Sequence, residues 1–149
     1  MRGFSRKVAV LIALFLLVFS QGFSFSAVDD KEDLAVLTDG FAVAMSKKDK
    51  AWMDVNFTPE CVTYVPNGQT LDRQTTIHAF TGGVYYITKA SASNKAFMVA
   101  GIGAGGSADY TVEGTLSDGN DISGTYKLTF KFKKGVAGWK ISEILIHGE

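Results

Sequence analysis

Two histidines, one cysteine, a glycine-rich hexapeptide and a set of tyrosines are the residues of this 149-residue chain that could carry chemistry. His78 and His147 could act as acid/base groups or metal ligands. A metal site needs three or four ligands at suitable spacing, and nothing clusters with either histidine along the chain. No metal or cofactor is therefore expected. Cys61 sits in the alternating run Cys61-Val62-Thr63-Tyr64-Val65 and reads as a buried thiol. Being single, it can form no intramolecular disulfide, and two histidines supply no convincing Cys-His-Asp arrangement. Gly101-Ile102-Gly103-Ala104-Gly105-Gly106 spells the dinucleotide fingerprint, but that motif needs a helix after it, and Ser107 to Val112 read as strand. The glycines are expected to form a hairpin or a sharply bent strand pair. Asp54 and Asp72 read as cap or surface acids. Trp52, Tyr64, Tyr85, Tyr86, Tyr110, Tyr126 and Trp139 read mostly as core, leaving a hydroxyl or two to orient a ligand.

The elements that must position these residues begin after a leader. Arg2, Arg6 and Lys7 precede an uncharged, almost wholly apolar run from Val8 to Phe19, and Ser24-Phe25-Ser26 offers small residues for cleavage. That is the layout of a secretory signal peptide over residues 1–26. The apolar run is about half of the roughly 20 residues needed to span a bilayer, which disfavours a retained anchor. With no cysteine near the boundary, a lipid anchor is not expected. An exported protein, periplasmic or secreted, follows, with no membrane contact once the leader is removed. Three of the 15 basic residues lie in the leader and none of the 15 acidic ones, so residues 27–149 are net −3. That balance gives no basic face for nucleic acid.

Within residues 27–149, Leu34, Leu37, Phe41 and Ala44/Met45 mark one face of a helix whose first turn is acidic. Gly40 inside it points to close packing against a neighbour. Asp49 and Asp72 are placed to cap two further short helices, the second of them ended by Gly82-Gly83. Cys61 to Val65 reads as a strand. Val84–Ser91, Ala96–Gly103, Ser107–Leu116, Ile122–Lys133 and Trp139–His147 read as five more, with turns at Asn94, Gly105-Gly106, Ser117–Asn120 and Lys134-Gly135. Helices grouped ahead of a meander predict one α+β domain.

Several stretches, in order, resemble the nuclear transport factor 2-like superfamily, which includes ketosteroid isomerases and SnoaL-like cyclases. They are Ser46 to Trp52, Phe57 to Gly68 with its Pro-x-Gly turn, Ile77 to Phe80, Leu116 to Tyr126, and Gly138 to Ile141. The resemblance covers about residues 30–148. It implies a cone-shaped half-barrel: about three N-terminal helices on a curved antiparallel sheet of five to six strands, enclosing an apolar cavity and dimerising through the sheet's outer face. It also implies positions for the isomerase machinery. The base falls at Val65, the oxyanion-hole tyrosine at Phe41 and the second donor at Leu128, all apolar here. Proton abstraction beside a carbonyl needs a base and an oxyanion donor, so isomerase activity is not expected. The residues expected to face the cavity are Phe41, Trp52, Thr63, Val65, His78, Phe80, Tyr110 and Leu128. Two functions compete: a non-catalytic domain that binds an apolar small molecule or only dimerises, and a SnoaL-like enzyme using His78 or a cavity tyrosine as acid/base group.

Overall fold

The computed structural model describes residues 28–148; the leader expected over residues 1–26 lies outside them. Helix α1 spans residues 28–47 and buries the predicted stripe of Leu34, Leu37, Phe41, Ala44 and Met45. Lys48, at φ 53°, stops it, and Asp49 caps α2 (Lys50–Asn56) by accepting the Trp52 N–H at 3.0 Å. A Cβ on Gly40 would lie 2.8 Å from Trp52 Cζ2. The glycine is what lets the indole lie against α1. Strand β1 (Phe57–Tyr64) follows directly, then the two-residue β2 (Thr70–Leu71). Asp72 caps α3 (Arg73–His78) through the Thr75 N–H at 2.8 Å, and a wide turn over Ala79–Gly83 closes it, with Gly82 at φ 101°.

Four long strands complete the chain: β3 (Tyr85–Ala100), β4 (Gly103–Leu116), β5 (Gly124–Gly135) and β6 (Gly138–Ile146). The six-stranded sheet runs β2-β1-β6-β5-β4-β3, curved around the helices and unclosed. The fold is α+β, as predicted. Pairing is antiparallel except between β1 and β6, which run parallel. A parallel pair needs a long crossover rather than a hairpin, and everything from β2 to β5 supplies it. Reading hairpin turns strand by strand does not register that.

Two expected strands merge into β3. Asn94, at φ 51°, sits at a register shift between Ser93 and Ala96 and bends the strand where a turn was expected. The turn comes at Gly101-Ile102, the tip of the glycine hexapeptide. Gly105 and Gly106 lie within β4, not at a turn. A Cβ on Gly106 would collide with the Phe97 ring, which covers it from the opposite position on β3. The glycine therefore serves cross-strand packing.

The core is aromatic. Phe41 is fully buried, with Trp52, Phe57, Phe80, Tyr110 and Phe130 at centroid distances from 5.3 to 6.3 Å. Most of these contacts are tilted or edge-to-face, arrangements that add to simple burial. At the start of α1, buried Asp30 accepts hydrogen bonds from Trp139 Nε1 at 2.9 Å and Lys134 Nζ at 2.8 Å. This joins the helix to the β5–β6 hairpin.

Candidate functional site

Near the other end of α1, a pocket of about 120 Å³ lies between the inner face of the paired strands and Met45, Phe80 and Pro66. Its floor is buried: Met45 from α1, Phe80, Ile87 from β3, Tyr110 and Val112 from β4, and Leu128 from β5. These strand residues all point inward because side chains alternate across a sheet. Its rim is partly exposed: Pro66, Tyr85, Ile122, Tyr126 and Ile146. Local turn chemistry delivers two rim residues. The loop after β4 folds back through Ile122 N–H to Gly114 O at 3.0 Å and Gly114 N–H to Ser123 Oγ at 3.2 Å, which brings Ile122 inward. Pro66 heads a tight turn closed by Gly68 N–H on Val65 O at 3.0 Å and by Asn67 Oδ1 on Gln69 N–H at 2.9 Å.

No charged side chain lines the pocket. Three tyrosines do, and the hydroxyls of two are bonded to main-chain carbonyls. Tyr110 Oη donates to the main-chain carbonyl of Thr38 at 2.8 Å, and burial pushes its ionisation well above the usual phenol range. Tyr126 Oη donates to Ile122 O at 2.7 Å, pinning the rim loop. Tyr85 stacks on Phe80 at 5.2 Å, and burial, then the neighbouring Tyr126, raises its ionisation too. Tyr85 and Tyr110 therefore stay protonated at neutral pH. They are hydrogen-bond donors rather than bases.

Of the residues expected to face a cavity, Phe80, Tyr110 and Leu128 line this one. Buried Val65 adjoins it through Pro66. Phe41 lies in the ring cluster behind the floor. Trp52 lies between α1 and Phe57. Thr63 is buried under α3, its hydroxyl accepting from Thr76 Oγ1 at 2.9 Å. His78 is exposed on α3, with its ring against Gly83. His147 is exposed, its Nε2 2.8 Å from Thr129 Oγ1. Cys61 is buried, and desolvation pushes its thiol up to about 12. The sequence reading did not assign Met45, Ile87, Val112, Ile122 or Ile146 to the site. Strand alternation could have found the facing of Ile87, Val112 and Ile146, but not that the space beneath them stays unfilled.

No protein-family model and no curated protein matches the chain. Solved structures do. A nuclear transport factor 2-like superfamily protein from Salmonella enterica is 19% identical, with a TM-score of 0.69 over 82% of this chain and 92% of that one. A protein of unknown function with the same fold, from Prochlorococcus marinus, gives 19%, 0.68, 80% and 92%. A protein from Cytophaga hutchinsonii gives 15%, 0.67, 83% and 97%. Element order, sheet curvature and this likeness over most of the described residues agree: the chain has the fold of the nuclear transport factor 2-like superfamily.

Proposed function

We propose that this protein is an exported, non-catalytic container for a small apolar molecule or the apolar part of one. The carrying observation is a pocket whose floor and rim are apolar or tyrosine, with no carboxylate, histidine or lysine among them. Its volume sets the ligand class. A cavity of about 150 Å³ lined by aliphatic and aromatic side chains holds one benzene. A pocket of about 120 Å³ suits a single ring or a short alkyl chain, well below the roughly 300–1,000 Å³ of drug-sized sites. The competing enzyme reading, with His78 or a tyrosine as acid/base group, has less support: His78 faces solvent, and Tyr85 and Tyr110 are held protonated. Export, to the periplasm or beyond the cell, rests on the leader.

The test is a titration with indole and with toluene, followed by thermal unfolding. A ligand at about a hundred times its Kd stabilises by roughly 2.7 kcal/mol. Val112→Phe, which fills the floor, should abolish the shift. An equal shift in the variant, or none in either protein, overturns the container reading. A homodimer through the outer face of the sheet is part of the same proposal. Exposed Tyr64 and Leu145 lie opposite one another across the β1–β6 pair, with Thr129 next in register. Native mass spectrometry should report a dimer that Leu145→Asp dissociates; a monomeric wild type excludes it.

A further inference from the structure

We infer that the end of the sheet opposite the pocket is a docking surface for an anionic bilayer. Two turns form this end, Gly101-Ile102 between β3 and β4 and Val136-Ala137 between β5 and β6. They lie side by side: Lys134 N–H donates to Ile102 O at 2.8 Å, and Gly103 faces Lys133 in register. The turns and the strand leading into them carry the most exposed large apolar side chains among the described residues. Met98 is 78% exposed, Ile102 is 74% exposed, and Val136 is fully exposed. Single exposed apolar residues are ordinary. These three are gathered at one end, two of them on neighbouring convex tips.

The cations of β5 and β6 are gathered beside them. Lys133 and Lys140 lie directly opposite on adjacent strands, a like-charge pairing that disfavours the fold. Glu60 partners Lys133 at 2.8 Å and Asp30 partners Lys134, while Lys140 has no ion-pair partner among the described residues. Lys133, Lys134, Lys140 and Val136 line one shallow groove with Glu60 and Thr58. Lysines around a groove can take an anionic headgroup, and apolar tips beyond them can enter the interfacial layer. A protein partner would more readily be met by a flat or concave face.

Lys140, the cation of this groove without an ion-pair partner among the described residues, and the three exposed apolar side chains beside it are what select an anionic bilayer. The expectation of no membrane contact rests on removal of the leader and takes no account of single apolar residues gathered from separate turns.

Cys61 is buried and weakly ionised, so a fluorophore can be placed elsewhere on the chain freed of its leader, residues 27–149, with little background. An environment-sensitive dye on Val136→Cys is compared with the same dye on Asp118→Cys, in the turn at the pocket end. Vesicles of phosphatidylglycerol with phosphatidylcholine should blue-shift the dye at 136 and leave the dye at 118 unchanged. Pure phosphatidylcholine should give a weaker response at 136, and salt should weaken the anionic one. Lys140→Ala should lower the vesicle affinity read at 136 about fivefold, the factor that corresponds to roughly 1 kcal/mol per lysine beside an anionic surface. A response at 118 alone, equal responses at both, or silence at 136 overturns the proposal. Silence at 136 that is relieved by a protein rather than a vesicle would identify a protein interface instead.

Discussion

The two ends of the cone are built from the same strands and behave as opposites. Strand β5 takes part in both: Tyr126 and Leu128 line the pocket, while eight residues after Tyr126, roughly 26 Å along an extended strand, Lys134 closes onto Asp30. At the pocket end the inward residues leave a void and the polar atoms are few. At the turn end the inward residues are packed, Trp139 is hydrogen-bonded, and the exposed surface mixes lysines with apolar tips. The difference teaches where this fold can accommodate change. A void lowers the local contact density and so the local resistance to opening, whereas a satisfied buried carboxylate and indole raise it.

The largest expected effect lies between the two ends. Phe41 meets five other rings, and Phe41→Ala should destabilise by about 3–5 kcal/mol in chemical denaturation, lowering both halves together. Unfolding of the pocket end alone would mean that the halves are separate cooperative units.

At the turn end, Asp30→Ala leaves the buried Trp139 N–H without its acceptor and should cost about 1–3 kcal/mol. Asp30→Asn keeps an acceptor and should cost less. The two variants also read the pH dependence. The hydrogen bond from Lys134, then that from Trp139, holds the Asp30 carboxyl below its usual value. Its contribution is present above the unfolded carboxyl's range, about pH 4, and is lost as pH falls through the lower folded value. Melts of Asp30→Asn should therefore differ from wild type at neutral pH and converge with it in strong acid, whereas Asp30→Ala should close only part of its gap, because a protonated carboxyl still accepts from Trp139. A constant gap down to strong acid would remove the ion pair from the account.

At the pocket end, Val112→Phe should change stability by less than about 1 kcal/mol, because the added ring enters existing space. The same enlargement in a filled core typically costs about 1–3 kcal/mol. A loss in that higher range would show that the pocket is not free volume. The smallest effect is expected for Val136→Asp at the exposed turn, within about 0.5 kcal/mol of wild type in a thermal melt. A larger loss would mean that this tip packs against something within the fold.

Much of the fold is legible in the chain because its signals are local. The spacing of Leu34, Leu37 and Phe41 gives α1, and Asp49 and Asp72 cap the helices they precede. The alternation of Tyr126, Leu128, Phe130 and Phe132 gives the facing of β5. The glycine hexapeptide is a hairpin tip, as its strand-like continuation implies, although its last two glycines lie inside β4. The candidate site is legible only in part. Phe80, Tyr110 and Leu128 line the pocket, but Met45, Ile87, Val112 and Ile146 enter it because the space between sheet and helices stays unfilled at their level, and Ile122 through a loop that folds back. His78 shows the limit: helical spacing places it on α3 without fixing the direction in which α3 is rolled.

By itself, then, the sequence determined the element types, their caps and the apolar faces, since these depend on periods of two and of 3.6 residues within short windows. Only the tertiary structure decided the parallel β1–β6 pair, the turning of His78 towards solvent, the burial of Phe41 behind the pocket and the meeting of two distant turns at one end. Those outcomes depend on contacts between residues far apart in the chain. Asp30 with Lys134 and Tyr110 with Thr38 are examples, and no local pattern encodes which distant group will complete a hydrogen bond.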